Sequence, residues 1–455
     1  MRAGRRMNQA ESIFPSKRRL WISIFVVAIV FAITAIRQHR LVDQNSVNVL
    51  YWDQWDLYKP LQTPTGWGLF DSLHGPYRQG AGALLTGFIA EQSHWNSRWN
   101  AFGVSEVLIA AAGMGLVLAW RCGVREPLAF AAVPLLYLTR RQWEDFVGAS
   151  NIADAAMPIF LLTACCLCLF IRNVILHITA VAAFTILLIF TGPGLFAGFI
   201  VPMLLALELF QAFVEKETAH SLAAAGGIGA IAVGWIAFRW HYVPVPLLSS
   251  FPYEKPIEYL CFIGTMISNL FGLRTPGQLS VVFGLLITAL LLMICLIHAW
   301  QMLRYGVAKK PTSSAIILLA GFSMLFCVDT AADRVALGWQ TQSMSSHLVT
   351  LVIPAGLAIF LHVGSLGPPR MAAMLGVIFS LVISYGSLTL SPAEWDGIHK
   401  YRDGKTAWRA AYLAAHNVTQ ADAVAKFQVY PNPAAMTDQL QFMQQHRLNI
   451  FREAN

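Results

Sequence analysis

Long apolar runs recur along this chain and leave it little choice of fold. Stretches of about 17–25 mostly apolar residues suit a helix that crosses a hydrocarbon layer. Such stretches lie near 20–37, 101–120, 126–139, 156–171, 174–191, 195–213, 221–239, 278–299, 313–330, 348–364 and 372–390, the third being the shortest. Backbone groups inside a bilayer must be paired within the segment or in a closed barrel, and runs of this length read as helices. The expectation is an all-α integral membrane protein with about eleven transmembrane helices. Composition agrees: 56% of residues are hydrophobic and 12% charged, half the charge of a typical soluble chain (about 25%). The formal charge of +8 then reports topology before any polyanion, and no nucleic-acid partner is expected.

The basic residues orient the bundle. "MRAGRRMNQAESIFPSKRRLWISIFVV" reads as a retained signal-anchor with Arg2, Arg5, Arg6, Lys17, Arg18 and Arg19 on the cytoplasmic side. Arg121, Arg125, Arg172, Lys216, Arg304, Lys309, Lys310 and Arg370 fall in the short connections on that same side. This is the charge bias of inner loops, and an odd number of spans then puts the C-terminal tail outside the cytoplasm. The polar segments that remain are the first loop (38–100), 140–155, 240–277, 331–347 and the tail (391–455), all on the opposite side. The chain therefore divides into a membrane module, 1–390, and a small extracytoplasmic tail, 391–455. The piece 256–272 is too short for a clear span and reads as interfacial or re-entrant. The seven cysteines lie nearly all within apolar runs, where they pack as small hydrophobes.

Four polar constellations carry the candidate chemistry. In "YWDQWD", Asp53 and Asp56 stand at i and i+3, which on a helix places both carboxylates on one face. There they would hold a divalent cation, or one would take the proton of an attacking hydroxyl; solvated loop acids are the plainer alternative. Trp52 and Trp55 would share a neighbouring face, suited to a sugar ring or to the headgroup level. In "HGPYRQGAGALLTGF", His74 and Arg78 precede a stretch suited to lie along the membrane surface, with Arg78 able to pair with phosphate. "RRQWEDFVGASN" brings Arg140, Arg141, Gln142, Glu144 and Asp145 to the end of a membrane segment, against the usual charge bias. "CVDTAADRVALGWQTQSMSSH" holds Asp329, Asp333, Arg334 and His347 between two apolar runs. Arg334 is placed for a lipid phosphate there, or for an ion pair with a neighbouring aspartate.

These motifs together resemble the GT-C membrane glycosyltransferases, which move a sugar from a polyprenyl-phosphate carrier to an acceptor outside the cytoplasm. They are nearest to a bacterial group of such multi-pass proteins, mostly without assigned substrates. "YWDQWD" is similar to that group's W-D-x-W-D, and "QWEDFVGA" to Q-x-E-N-x-x-x-G through Gln142, Glu144 and Gly148. "DRVALG" keeps Arg334 and Gly338 of G-R-x-x-x-G, and "LQFMQQHRLNIF" matches the end of the tail. "HGPYR" matches H-N-E-H-R only at His74 and Arg78, and Ser345-Ser346-His347 replaces Ser-Arg-Tyr.

The resemblance implies an inverting transferase with Asp53 as general base and Asp56 in support. Arg334, Arg78, His347 and His74 would bind the carrier phosphate. Trp52, Trp55, Gln142, Glu144 and Asp145 would line the sugar or acceptor pocket. Asp53, Asp56 and Glu144 would be the ligands if a divalent metal takes part. The implied partners are a polyprenyl-phosphate-linked sugar, a glycan or lipid acceptor of the cell envelope, and membrane lipids. Two other classes stay open: a transporter or flippase of lipid-linked saccharides, and a non-catalytic membrane partner in polysaccharide assembly.

Overall fold

The computed structural model describes residues 17–63, 65–124, 126–240, 242, 248–365 and 369–452. Arg2, Arg5, Arg6 and Arg125, part of the charge bias above, lie outside the described residues. The longer helices begin with α1 (Lys17–Asn45), α2 (Gly80–Ser93), α3 (Ser97–Arg121), α4 (Met157–Cys168) and α5 (Val174–Ile189). Then come α6 (Ala197–Val214), α7 (Thr218–Arg239), α8 (Ile257–Leu270), α9 (Gln278–Tyr305) and α10 (Pro311–Arg334). The last are α11 (His347–Gly364), α12 (Pro369–Leu388), α13 (Pro392–Ala415), α14 (Val418–Ala425) and α15 (Pro433–Gln445). One hairpin, β1 (Leu73–His74) with β2 (Tyr77–Arg78), is the only sheet among the described residues.

Side chains at the termini set many of these boundaries. The Asn96 side chain accepts from Arg98 N and opens α3; Asn173 does the same for α5 through Leu176 N. Ser391 and Glu394 form a reciprocal capping box with Pro392 at the first helical position of α13.

Among the described residues, eight helices are long and apolar enough to cross a membrane, against the eleven expected. They are Trp21–Asn45, Ser97–Arg121, Gly192–Val214, Thr218–Arg239, Gln278–Tyr305, Pro311–Leu337, His347–Gly364 and Arg370–Leu388. Ile152–Cys168, Val174–Ile189 and Ile257–Leu270 are apolar but shorter. The expected span at 126–139 is not a continuous helix. Pro127 opens a 3-10 turn, Pro127–Ala131, and Ala132–Tyr137 carries Pro134 inside it. The segment still runs between the two ends of the bundle: Glu126 lines a cleft with Lys310 and Thr312, whereas Arg141 sits beside Glu394.

The outside of the bundle is apolar. On α9, Leu279, Val282, Leu286, Met293, Leu296, Trp300 and Leu303 are exposed at helical spacing, whereas Ser280, Gly284, His298 and Met302 face inward. A helix with its small and polar residues inside and leucines outside is built for lipid. These apolar helices make the chain a multi-pass membrane protein.

A second, smaller core lies at one end of the bundle. There Leu50, Trp55, Tyr58 and Trp95 of the first loop pack with Trp408, Tyr412, Val429, Met443 and Phe451 of the tail. Backbone contacts pin the two together: Trp52 N donates to Val429 O at 2.7 Å and Asn449 N to His94 O at 3.0 Å. Lys405, in α13, donates to Val147 O and Gly148 O at 2.8 and 2.7 Å, tying the tail to the 140–151 segment as well. The first loop, that segment, the 335–346 connection and the tail therefore share one face of the molecule.

Candidate functional site

The hairpin decides what His74 and Arg78 can do. Gly75, at φ +55°, and Pro76 form a two-residue turn, and His74 pairs directly with Tyr77 across it while Leu73 pairs with Arg78. Alternation along the strands then sends His74 and Tyr77 to one face and Arg78 to the other. Arg78 is 1% exposed and its donors are all taken. It bonds Phe238 O through Nε and Nη2 (2.9 and 2.7 Å), Trp240 O, and Asp71 through both its carbonyl and its carboxylate (2.6 Å each). Arg78 caps the C-terminal end of α7. That leaves Arg78 no free donor for a phosphate.

On the other face, His74 Nε2 stands 3.5 Å from Asp53 Oδ2. Burial raises the Asp53 carboxyl, but the His74 hydrogen bond, its charge and more distant Arg334 outweigh this and hold it below its ordinary value. Burial lowers His74, yet the bond to Asp53 and the charges of Asp154, Asp53 and Asp56 push it up to about 9. Asp53 is a carboxylate beside an imidazolium at neutral pH.

A second arm faces this pair. His347 Nδ1 and backbone N both donate to Glu144 Oε2, at 3.2 and 3.0 Å, and Arg334 Nη1 stands 3.4 Å from His347 Nε2. With Arg334 donating, Nε2 accepts and Nδ1 carries the proton. Burial raises Glu144, and its bonds to His347 and Ser346 more than reverse the shift, leaving it below the usual carboxylate range. Burial raises the Tyr51 hydroxyl, its bond with Tyr401 opposes this, and the charges of Glu144 and Asp53 add to the rise. Tyr77 donates to Asp329 at 2.9 Å and Asp333 pairs with Arg334 at 3.8 Å, closing the side toward α10.

Several expected site residues lie elsewhere. Asp53 and Asp56 do not act as a pair: Asp56 accepts from Tyr430 of the tail at 2.9 Å while Asp53 turns to His74. Among the described residues no group of three or more His, Cys, Asp or Glu is placed to hold a metal ion, so the Asp53–Asp56–Glu144 set is not assembled as one. Trp52 and Trp55 also separate. Trp52 is 41% exposed at φ +51°, whereas Trp55 is 3% exposed in the core under the tail.

Gln142 and Asp145 lie beneath the site, not in it. Thr350 Oγ1 contacts Gln142 Oε1 at 2.8 Å and Asp145 Oδ2 at 2.5 Å. One hydroxyl proton cannot serve two acceptors. Burial pushes Asp145 up to about 7, the Thr350 bond opposing it, and protonated Asp145 donating to Thr350, which donates to Gln142, satisfies all three.

Three site residues were missed by the sequence reading. Asp154, in the π-turn Ile152–Ala156 before α4, is held by Gln79 (3.2 Å) and Asn151 and supports the His74 charge. An acid at the mouth of an apolar run was the available signal. Tyr401 and Tyr430 come from the tail, with Tyr401 edge-on to Tyr51 at 5.1 Å. Nothing local marks them, because only the docking of the tail brings them here. Beside His74, an open cleft of about 610 Å³ is lined by Asp56, Lys59, Gln62, Thr63, Leu73, His74 and Gly75. Comparison of the chain with family models, curated proteins and solved structures finds no match.

Proposed function

We propose that this protein transfers a sugar from a polyprenyl-phosphate carrier to an acceptor hydroxyl at the face that carries the first loop and the tail. The observation that supports this best is an ionised carboxylate, Asp53 on His74, with the Arg334 guanidinium held on the neighbouring His347–Glu144 arm. In the step proposed, the acceptor hydroxyl gives its proton to Asp53 as its oxygen attacks the anomeric carbon. The bond from that carbon to the phosphate oxygen breaks, and the polyprenyl phosphate leaves with the electron pair, its charge met by Arg334. A single displacement inverts the anomeric centre.

His74 keeps Asp53 ionised until the acceptor arrives. The cleft beside it, with Asp56, Lys59, Gln62 and Thr63, supplies the polar groups an acceptor glycan needs.

The experiment is a transfer assay with purified protein and a panel of polyprenyl-phosphate sugars. Asp53→Asn is expected to lower turnover by about 10²–10⁴-fold, the usual scale for a lost general base. Circular dichroism and the elution profile of the variant should be unchanged. Equal turnover in wild type and variant would remove Asp53 from the chemistry.

A further inference from the structure

Four arginines gather where α1, the 140–142 turn, the α8–α9 connection and the α12–α13 junction meet. Arg37 donates to Leu388 O at 2.6 Å and Arg274 to Thr389 O at 2.9 Å, so both sit at the carbonyl end of α12, a position that favours cations. Arg140 donates to Arg37 O at 3.3 Å. Arg141 is 4% exposed; it bonds Asn269 Oδ1 and stands 3.6 Å from Glu394 Oε1, and Arg274 stands 3.8 Å from the other Glu394 oxygen.

Two of the four guanidiniums, Arg141 and Arg274, therefore share one carboxylate, which already accepts Ser391 N at 2.6 Å in the capping box, and Arg37 and Arg140 bond only backbone carbonyls. Among the described side chains, Arg140 Nε, Arg141 Nε, Arg141 Nη1 and Arg274 Nε are buried with no hydrogen-bond partner. Burial disfavours the Arg141 charge, Glu394 offsets part of this, and neighbouring Arg274 adds to the penalty. Surplus buried charge is costly unless a counter-charge completes it. The guanidinium fork matches the oxygens of a phosphate, which would take two N–H donors at once.

The cluster also borders the lipid-facing surface. Arg274 lies over the ring of Tyr385 at 5.7 Å, and Tyr385 is 64% exposed on α12 beside exposed Leu381 and Val382. A phosphate on an amphiphile could enter there with its chains still in the bilayer.

We infer that Arg37, Arg140, Arg141 and Arg274 form a binding site for a phosphate mono- or diester at the membrane boundary. It uses no residue of the Asp53–His74 pair or the Arg334 arm, and it stands whether or not the protein transfers sugars.

The test uses the full chain in a phosphate-free detergent, with binding read by native mass spectrometry and by the thermal midpoint. The probes are phosphatidylglycerol, a phosphate-free glycolipid with the same acyl chains, and inorganic phosphate. Phosphatidylglycerol is expected to bind saturably and the glycolipid not. Arg141→Gln and Arg274→Gln should each weaken that binding by about tenfold, one charge-assisted contact being lost. Glu394→Gln, which keeps the cap, should tighten it.

Binding of inorganic phosphate alone, with the same variant pattern, would assign the site to free phosphate; binding of the lipid alone would assign it to headgroups. Equal affinity for lipid and glycolipid, or unchanged affinity in the variants, would overturn the inference. Should Arg141→Gln fail to fold, Arg274→Gln decides alone, its side chain being 20% exposed.

Discussion

The carboxylate of Asp53 and the imidazole of His74 face each other at 3.5 Å, and each changes how the other holds its proton. His74 is raised from 6.5 to about 9, so its contribution to stability is complete below about 6.5 and is lost as pH rises through about 9. Asp53 is held below 3.8, so its contribution is present above that value and disappears as pH falls through the lower, folded one. In His74→Gln the burial that raises Asp53 acts with less opposition. The acid limb of the kcat/KM profile should then move to higher pH. A profile identical to that of the wild type would show that His74 does not tune the base. Arg78 makes the contrasting case. It lies four positions from His74 in sequence, yet the hairpin turns it into the cap of α7, where truncation would cost stability, not carrier binding.

Helices pack here through small residues more than through side-chain interlock. α8 and α9 approach so closely that a Cβ added at Gly284 would lie 1.7 Å from Gly264 O, and one at Gly264 would lie 2.7 Å from Val281 O. The obstacle is backbone, which cannot rotate away. Gly284→Ala should therefore separate the two helices and lower stability by about 1–3 kcal/mol, the scale of overpacking a tight interface. A thermal midpoint in detergent equal to wild type would contradict that contact. The broken 126–139 segment has a different cause: Pro134 has no N–H to continue the ladder from the Pro127–Ala131 turn, and α1 and α12 pack over the segment.

At the scale of the whole molecule, the tail is part of the site. Trp408 is fully buried between the first loop and α14, with Nε1 donating to Asp422 at 2.7 Å. Lys405 is buried nearby, its ammonium on two carbonyls of the 140–151 segment and 5.0 Å from the Tyr51 ring centroid. Burial pushes that ammonium down to about 7. Unfolded lysine keeps its proton to about 10.5, so the penalty for burying the charge is full below about 7 and is relieved as pH rises toward 10.5. Lys405→Met removes that penalty but leaves the Val147 and Gly148 carbonyls without their donor, at about 1–3 kcal/mol for each unsatisfied group. Limited proteolysis should then release the tail faster than in wild type; unchanged protection would mean that the Trp408 core alone holds it.

Apolar run length, read from the sequence by itself, determined the membrane class and the approximate position of each of the eight helices long enough to cross a membrane. A backbone buried in hydrocarbon has few ways to satisfy its own hydrogen bonds, so this information is local. Charge and motif also marked Asp53, Glu144, Arg334 and His347, which do converge. Run length could not settle the number of long helices, because it does not register the proline that breaks a run or the residue at which an apolar helix stops short. Partners across the chain were equally out of reach: His74 on Asp53, Tyr430 on Asp56, Trp55 under the tail, Arg78 on the end of α7. Each of those contacts joins segments far apart along the chain. Which polar group is satisfied by which other is decided only when the loops and the tail close over the same end of the bundle.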